Sequence, residues 1–250
     1  MGADQNIEWR SAAASALEWW RDAGVDTLVD EAPRDWTAAP PAPPEPPRRR
    51  SGAQTVAAPV LAAMPDTLAE FTAWRTGPEA PEAGWSGTPI AATGDPAADI
   101  MIMVDLPDRE DSDSNMLLSG AAGRLFVRML TAIGRDRTSI YLAPMCSVRP
   151  IAGRIAPEIE ARLVAVARHH VALVAPKRLL LLGNAPSRAL TGTDVARARG
   201  SLYAINLECG KTSVSVDVVA SFHPRLLLER PAEKARAWKD LQMLIAGLRA

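Results

Sequence analysis

Short apolar runs separated by turn signals divide this chain into alternating strands and helices. Ile100-Met101-Ile102-Met103 is an unbroken apolar run and predicts a strand buried on both faces of a parallel sheet. Ser139 to Leu142, Arg178 to Leu182 and Val214 to Ala220 predict three more strands. Between them, Leu125, Met129, Leu130 and Ile133 recur at helical spacing after Gly120-Ala121-Ala122-Gly123. Ile159, Leu163, Val166, His170 and Leu173 mark one face of a helix that Pro157 opens. Ala185 to Leu190 predicts a short helix, and Ala232 to Leu248 a closing one with Trp238, Leu241, Ile245 and Leu248 on its apolar face. Upstream, Ser11 to Ala23 and Asp66 to Arg75 read as helices, while Arg109 to Asn115 reads as an acidic loop. Strands that alternate with helices imply a three-layer α/β/α fold around a mainly parallel, four-stranded sheet with right-handed crossovers.

In such a sheet the working residues gather at the carboxyl ends of the strands. Four ends are readable: Asp105 to Asp108, Ala143 to Arg149, Gly183-Asn184 and His223-Pro224. His170 falls on an apolar stripe and is expected to be a satisfied core residue, with His169 pointing elsewhere.

Composition adds a second level of organisation. The chain has 250 residues, 48% hydrophobic, which is enough for one large α/β core. Six of its 21 prolines cluster between Pro40 and Pro47 and predict an extended linker that ends in Arg48-Arg49-Arg50. The expected organisation is an N-terminal helical appendage over 1–37, a Pro-rich linker over 38–60 and the α/β domain over 61–250. Trp19, Trp20 and Trp36 belong to the appendage, where they either dock on the protein's own core or anchor a protein partner. A net charge of −1 supplies no global attraction to nucleic acid, so phosphate binding requires a local basic face. With only Cys146 and Cys209, a reducing cytoplasm is expected. No apolar run is long enough to span a bilayer, and the polar, acidic N-terminus is unlike a signal peptide.

The order and spacing of the strand ends resemble the uracil-DNA glycosylase superfamily, most closely its fourth, iron–sulfur family. Gly94-Asp95-Pro96 resembles that family's lead-in, and Val104-Asp105-Leu106-Pro107-Asp108 lies where it has Gly-Glu-Ala-Pro-Gly. Gly120-Ala121-Ala122-Gly123 is similar to its Gly-Arg-Ala-Gly helix start. Arg149-Pro150, Leu182-Gly183 and Arg199-Gly200 continue the register. Phe222-His223-Pro224-Arg225-Leu226-Leu227 then stands for Tyr-His-Pro-Ala-Tyr-Leu-Leu, and Trp238-Lys239-Asp240-Leu241 for Trp-Glu-Asp-Leu. The likeness covers residues 60–248.

The resemblance implies a DNA N-glycosylase of base-excision repair. Such an enzyme needs a carboxylate to stabilise an oxocarbenium-like sugar or position water, a donor beside the departing base, and a pocket for a flipped base. It gives the first role to Asp105 and the second to His223, and it places Gly120, Gly183 and Asn184 at the substrate. Arg225 and Leu226, beside Pro224, lie where the family presses a loop into the minor groove. Arg149, Arg154, Arg197 and Arg199 are candidates for the basic face toward DNA.

The departures from the pattern are equally specific. Leu118 stands where an aromatic residue stacks on uracil. Pro144 replaces an asparagine that reads the uracil edge, and it has neither a side-chain donor nor a backbone N–H. Cluster cysteines are missing around Trp74, at Val148 and near Leu163, so no iron–sulfur cluster and no other cofactor or metal is expected. Two functions therefore stand side by side. One is a cluster-free glycosylase acting on a deaminated base. The other is a catalytically silent glycosylase fold that binds DNA or a repair or replication protein. A nucleotide-binding module is disfavoured, because the chain has no Walker loop and no dinucleotide glycine fingerprint.

Overall fold

A computed structural model describes residues 9, 11, 13–18, 64–150, 155–209 and 212–248. Contacts divide the chain into two units, Met1–Thr55 and Val56–Ala250. Within the first, residues 13–18 are helical. Trp19, Trp20, Trp36, the prolines, Arg48 to Arg50 and Arg154 lie outside the described residues.

The second unit is built on a six-stranded sheet, two strands more than the sequence pattern predicts. The four predicted strands are its parallel centre. They are β2 (Ile100–Val104), β3 (Tyr141–Pro144), β4 (Arg178–Leu182) and β6 (Thr212–Ser221). Two antiparallel edges complete it: β1 (Thr93–Gly94) beside β3, and β5 (Leu202–Cys209) beside β6. The spatial order is β1-β3-β2-β4-β6-β5.

The helices of this unit are α1 (Leu68–Arg75), α2 (Arg109–Ser114), α3 (Ala121–Ala132), α4 (Pro157–Val174) and α5 (Asn184–Thr191), followed by α6 (Val195–Ala198), α7 (Pro224–Glu229) and α8 (Lys234–Ile245). The stretch read as an acidic loop is therefore mostly helix. Its start is set by the Asp111 carboxylate, which accepts the Asp108 N–H at 2.9 Å. The closing helix is shorter than predicted, and Trp238 is 40% exposed rather than part of its buried stripe.

Alternation along each central strand sends side chains to two cores. Met101, Met103, Leu179, Leu181 and Val218 pack with Leu163, Ala167 and Val171 of α4. Ile100, Ile102, Val104, Leu180 and Leu182 pack on the other face with Phe126 and Leu130 of α3 and Leu241 and Leu244 of α8. Three layers follow directly.

His170 is buried in the first layer, where its Nε2 lies 3.0 Å from the Tyr141 hydroxyl. Burial pushes its imidazole down to about 3, so it is neutral in the fold. An unfolded chain binds a proton there near pH 6.5, which the native state refuses. Stability is therefore expected to fall as the pH drops from 6.5 toward 3. Urea unfolding of wild type and His170→Gln at pH 7 and pH 4 checks this: the variant should show the smaller loss.

Candidate active site

Strand register assembles the site. Val104, Leu182 and Ser221 are aligned neighbours at the carboxyl ends of β2, β4 and β6. The residues that follow them, Asp105, Gly183 and Phe222-His223, therefore share one rim. This rim lies where the chain, having laid β3 on one side of β2, crosses to lay β4 on the other, a switch point that opens a crevice.

The crevice is a hollow of about 460 Å³ lined by Asp105, Leu106, Arg149, Leu182, Gly183, Asn184, Val195, Phe222, His223, Arg225, Leu226 and Glu229. Gly183 turns the chain from β4 into α5 with φ 105°, a conformation that glycine adopts without strain. The next residue, Asn184, accepts the Val195 N–H through Oδ1 at 3.1 Å, which orients its amide.

Asp105 is partly exposed at the wall of this hollow, and its backbone carbonyl accepts the Cys146 N–H at 2.9 Å. Burial raises the pKa of its carboxyl group, an effect opposed by the charges of Arg225, Arg188 and Arg149. His223 is the N-cap of α7, and its Nδ1 accepts the Arg225 N–H at 3.2 Å. That bond assigns the remaining ring proton of the neutral form to Nε2. Burial pushes the imidazole down to about 4, so His223 is neutral at pH 7. An ionisable carboxyl group and a neutral N–H donor thus line one hollow.

Arg225 pairs with Asp108 across the mouth, and Arg149 Nη1 donates to the Pro107 carbonyl at 3.1 Å. Both guanidinium groups also line a neighbouring hollow of about 340 Å³ with Asp108, Arg109, Glu110, Ala121, Ala122 and Leu228. Gly120 lies beside it, and a Cβ there would fall 1.3 Å from Glu110 Oε2. Pro224 is buried in the first turn of α7, while Leu226 faces the main hollow.

Three other candidates lie elsewhere. Leu118 is buried in the α3 side of the core, in a left-handed turn with φ 53°. Pro144 faces a small cavity with Phe71, Thr72 and His170. Arg199 is held by the buried Asp240, with Nη2 to Oδ1 at 3.0 Å, and its guanidinium sits 5.1 Å from the Phe222 ring centroid. Asp240 also accepts the Ser221 hydroxyl at 2.8 Å, so this pair braces the end of β6 from behind.

Sequence reasoning missed Phe222 as the aromatic face of the hollow, although it adjoins His223 in the matched motif. It also missed Asp111. This buried carboxylate binds the backbone N–H groups of Asp108, Leu118 and Ser119 and the Ser119 hydroxyl, and so fixes the whole segment that follows Asp105.

The residues present do not fit an iron–sulfur cluster. Val148 and Leu163 are buried apolar residues. The Cys146 thiol donates to the Val148 carbonyl, and burial pushes it up to about 12, far from the thiolate that a metal needs. Among the described residues no group of three His, Cys, Asp or Glu side chains is placed to hold a metal ion. Nor is any helix among them long and apolar enough to cross a membrane.

The profile of the Uracil DNA glycosylase superfamily matches residues 91–242, a span that runs from the lead-in to β1 into α8. The type-4 uracil-DNA glycosylase of Pyrobaculum aerophilum is 25% identical over 163 residues, covering 63% of this chain and 82% of that protein. The type-4 uracil-DNA glycosylase of Archaeoglobus fulgidus is 26% identical over 162 residues, covering 62% and 79% respectively. The profile match spans every strand of the sheet and both Asp105 and His223 of the hollow, and the chain belongs to the uracil-DNA glycosylase superfamily.

Proposed function

We propose that this protein binds DNA and hydrolyses the N-glycosidic bond of a deaminated base. The observation that carries this reading is the pairing of Asp105 with a neutral His223 on one hollow. As the C1′–N bond breaks, the electron pair leaves with the base and positive charge builds on the sugar. Asp105, ionised, stabilises that charge and takes the proton of the water that adds to C1′. His223 Nε2–H donates to the base carbonyl as it gains negative charge, and the neutral ring avoids an initial proton transfer. The products are an abasic site and the free base. Leu106, Leu182, Val195 and Phe222 give the flipped base apolar walls, and Asn184 a fixed amide.

Arg149 and Arg225 at the mouth are the cations nearest the hollow for a phosphate that the net charge of −1 does not attract, Arg225 by exchanging its Asp108 partner for it. Arg225→Ala is expected to weaken DNA binding uniformly across sequences and to reduce the slope of log affinity against log salt by about 1. Titrations of a labelled oligonucleotide between 50 and 200 mM salt read both effects.

A second reading rests on the positions of Leu118 and Pro144. Neither lines the hollow, so neither stacks on nor reads a base in it. On this reading the protein is a catalytically silent DNA-binding module that engages a repair or replication protein through residues 1–37. Base release and equilibrium binding on one set of oligonucleotides separate the two. Binding accompanied by release of a deaminated base supports the enzyme. Binding without release, with a pull-down partner lost on removal of residues 1–50, supports the module.

A further inference from the structure

The region where a cluster is missing is not left loose. Arg75, the last residue of α1, reaches the Glu82 carboxylate, with Nη1 to Oε1 at 2.5 Å and both side chains buried. Arg75 Nη2 donates to the Met145 carbonyl at 2.8 Å, and Nη1 lies 3.4 Å from the Ser147 hydroxyl. Glu82 Oε1 also accepts the Ser147 N–H at 2.8 Å and its hydroxyl at 2.9 Å. Arg75 follows Trp74 and Ser147 precedes Val148, so the network adjoins two of the positions where the resemblance would place cluster thiolates.

The strip that this network grips is the one that holds Asp105. The Met145 N–H donates to the Val104 carbonyl at 2.8 Å, and the Cys146 N–H to the Asp105 carbonyl at 2.9 Å. From the guanidinium of Arg75 to the backbone of Asp105 there are therefore two hydrogen-bonded steps, through Met145 and Cys146.

Stability alone is a poor account of such a pair. Glu82 Oε2 is buried without a hydrogen-bond partner, and a desolvated ion pair with an unsatisfied oxygen gains little over apolar residues of similar volume. What apolar residues cannot do is fix the Met145 carbonyl and the Ser147 N–H in one place.

We propose that Arg75 and Glu82 are positioning residues for Asp105, a polar staple that sets the loop after β3 and, through the Cys146 amide, the backbone from which the site's carboxylate projects. The role rests on Asp105 being the working carboxylate of the proposed function.

Amide hydrogen exchange on the full chain tests the staple without requiring catalysis. Arg75→Met/Glu82→Met removes both charges at similar volume and so keeps the core filled. At least tenfold faster exchange is expected at the Met145 and Cys146 amides, with Leu180 and Leu181 of the central strand unchanged. The ¹³C titration midpoint of the Asp105 carboxyl group should shift in the same variant, and Arg75→Lys should restore part of both effects. Wild-type exchange at Met145 and Cys146, or equal acceleration of every amide, would overturn the proposal. If the double variant does not fold, Ser147→Ala provides the same readout. It removes one hydroxyl from the network and is expected to speed exchange at the same two amides about threefold, and no change there is equally fatal. Because exchange is read without DNA, failure of the staple and failure of base excision are told apart.

Discussion

Asp105→Asn is expected to lower base release by about 10²–10³-fold, the range seen when one preorganised electrostatic contact to a transition state is removed. The substitution keeps the side chain's shape and the backbone carbonyl that the Cys146 N–H binds. It removes only the charge that the proposed mechanism sets against the sugar cation. The fold should not suffer. Because burial raises the Asp105 pKa, ionising this group at neutral pH costs native-state stability, and a neutral amide escapes that cost. The thermal midpoint of Asp105→Asn is therefore expected to equal or exceed that of wild type. Wild-type base release should fall on the acid side with a midpoint above 3.8, the ordinary carboxyl value, since protonated Asp105 has no charge to offer. His223, pushed down to about 4, is neutral at the pH 7 end of that profile. DNA affinity, which the proposal assigns to the guanidinium groups at the mouth, should change little.

Asp111→Ala should show the opposite separation, with a large loss of stability and loss of function only as its consequence. Both carboxylate oxygens are used: Oδ2 accepts the Asp108 and Leu118 N–H groups at 2.9 and 3.0 Å, and Oδ1 accepts the Ser119 N–H and hydroxyl, each at 2.7 Å. At about 1 kcal/mol for each lost bond, and with the Leu118 amide left buried without a partner, the loss is about 3 kcal/mol or more. The left-handed turn at Leu118 adds to the damage, since this carboxylate's bonds, together with Arg137 on the Leu117 and Leu118 carbonyls, hold a non-glycine residue in it. Chemical denaturation should show a lower midpoint with an unchanged slope. Asp111→Asn, which keeps one acceptor oxygen, should fall between the two.

The parallel heart of the fold was legible in the sequence because its strands are short and apolar between turn signals, Ile100 to Met103 and Leu179 to Leu182 without a break and Val214 to Ala220 with Ser215 and Asp217 inside. The two edge strands were not. Thr93–Gly94 is two exposed residues inside a Gly- and Pro-rich stretch. Leu202–Cys209 alternates between a partly covered and an exposed face, with Leu202 itself 43% exposed and Ala204, Asn206 and Glu208 exposed between the covered positions. Helix α2 was hidden by its composition, because Arg109 to Ser114 is polar throughout and has no apolar stripe. Its only signal was an aspartate three residues after Asp108.

The site divided along the same line. Asp105, Gly183-Asn184 and His223 end continuous central strands, so register alone brings them to one rim. Leu118, Pro144 and Arg199 were assigned by likeness of position, and their surroundings place them in the core, at a separate cavity and against Asp240. Of the buried carboxylates, Asp111 was marked only by its spacing from Asp108, and Glu82 by nothing, because its Ser147 partner lies 65 residues away along the chain.

The measurement that tests the account most directly is free-base release in a single turnover, with protein in excess over oligonucleotides that carry one uracil, hypoxanthine or xanthine in single- and double-stranded form. Wild type is expected to release one base per damaged site from at least one of these substrates, and Asp105→Asn, binding the same DNA, to do so at least about a hundredfold more slowly. No release from any of the substrates, or equal release by the two proteins, would contradict it.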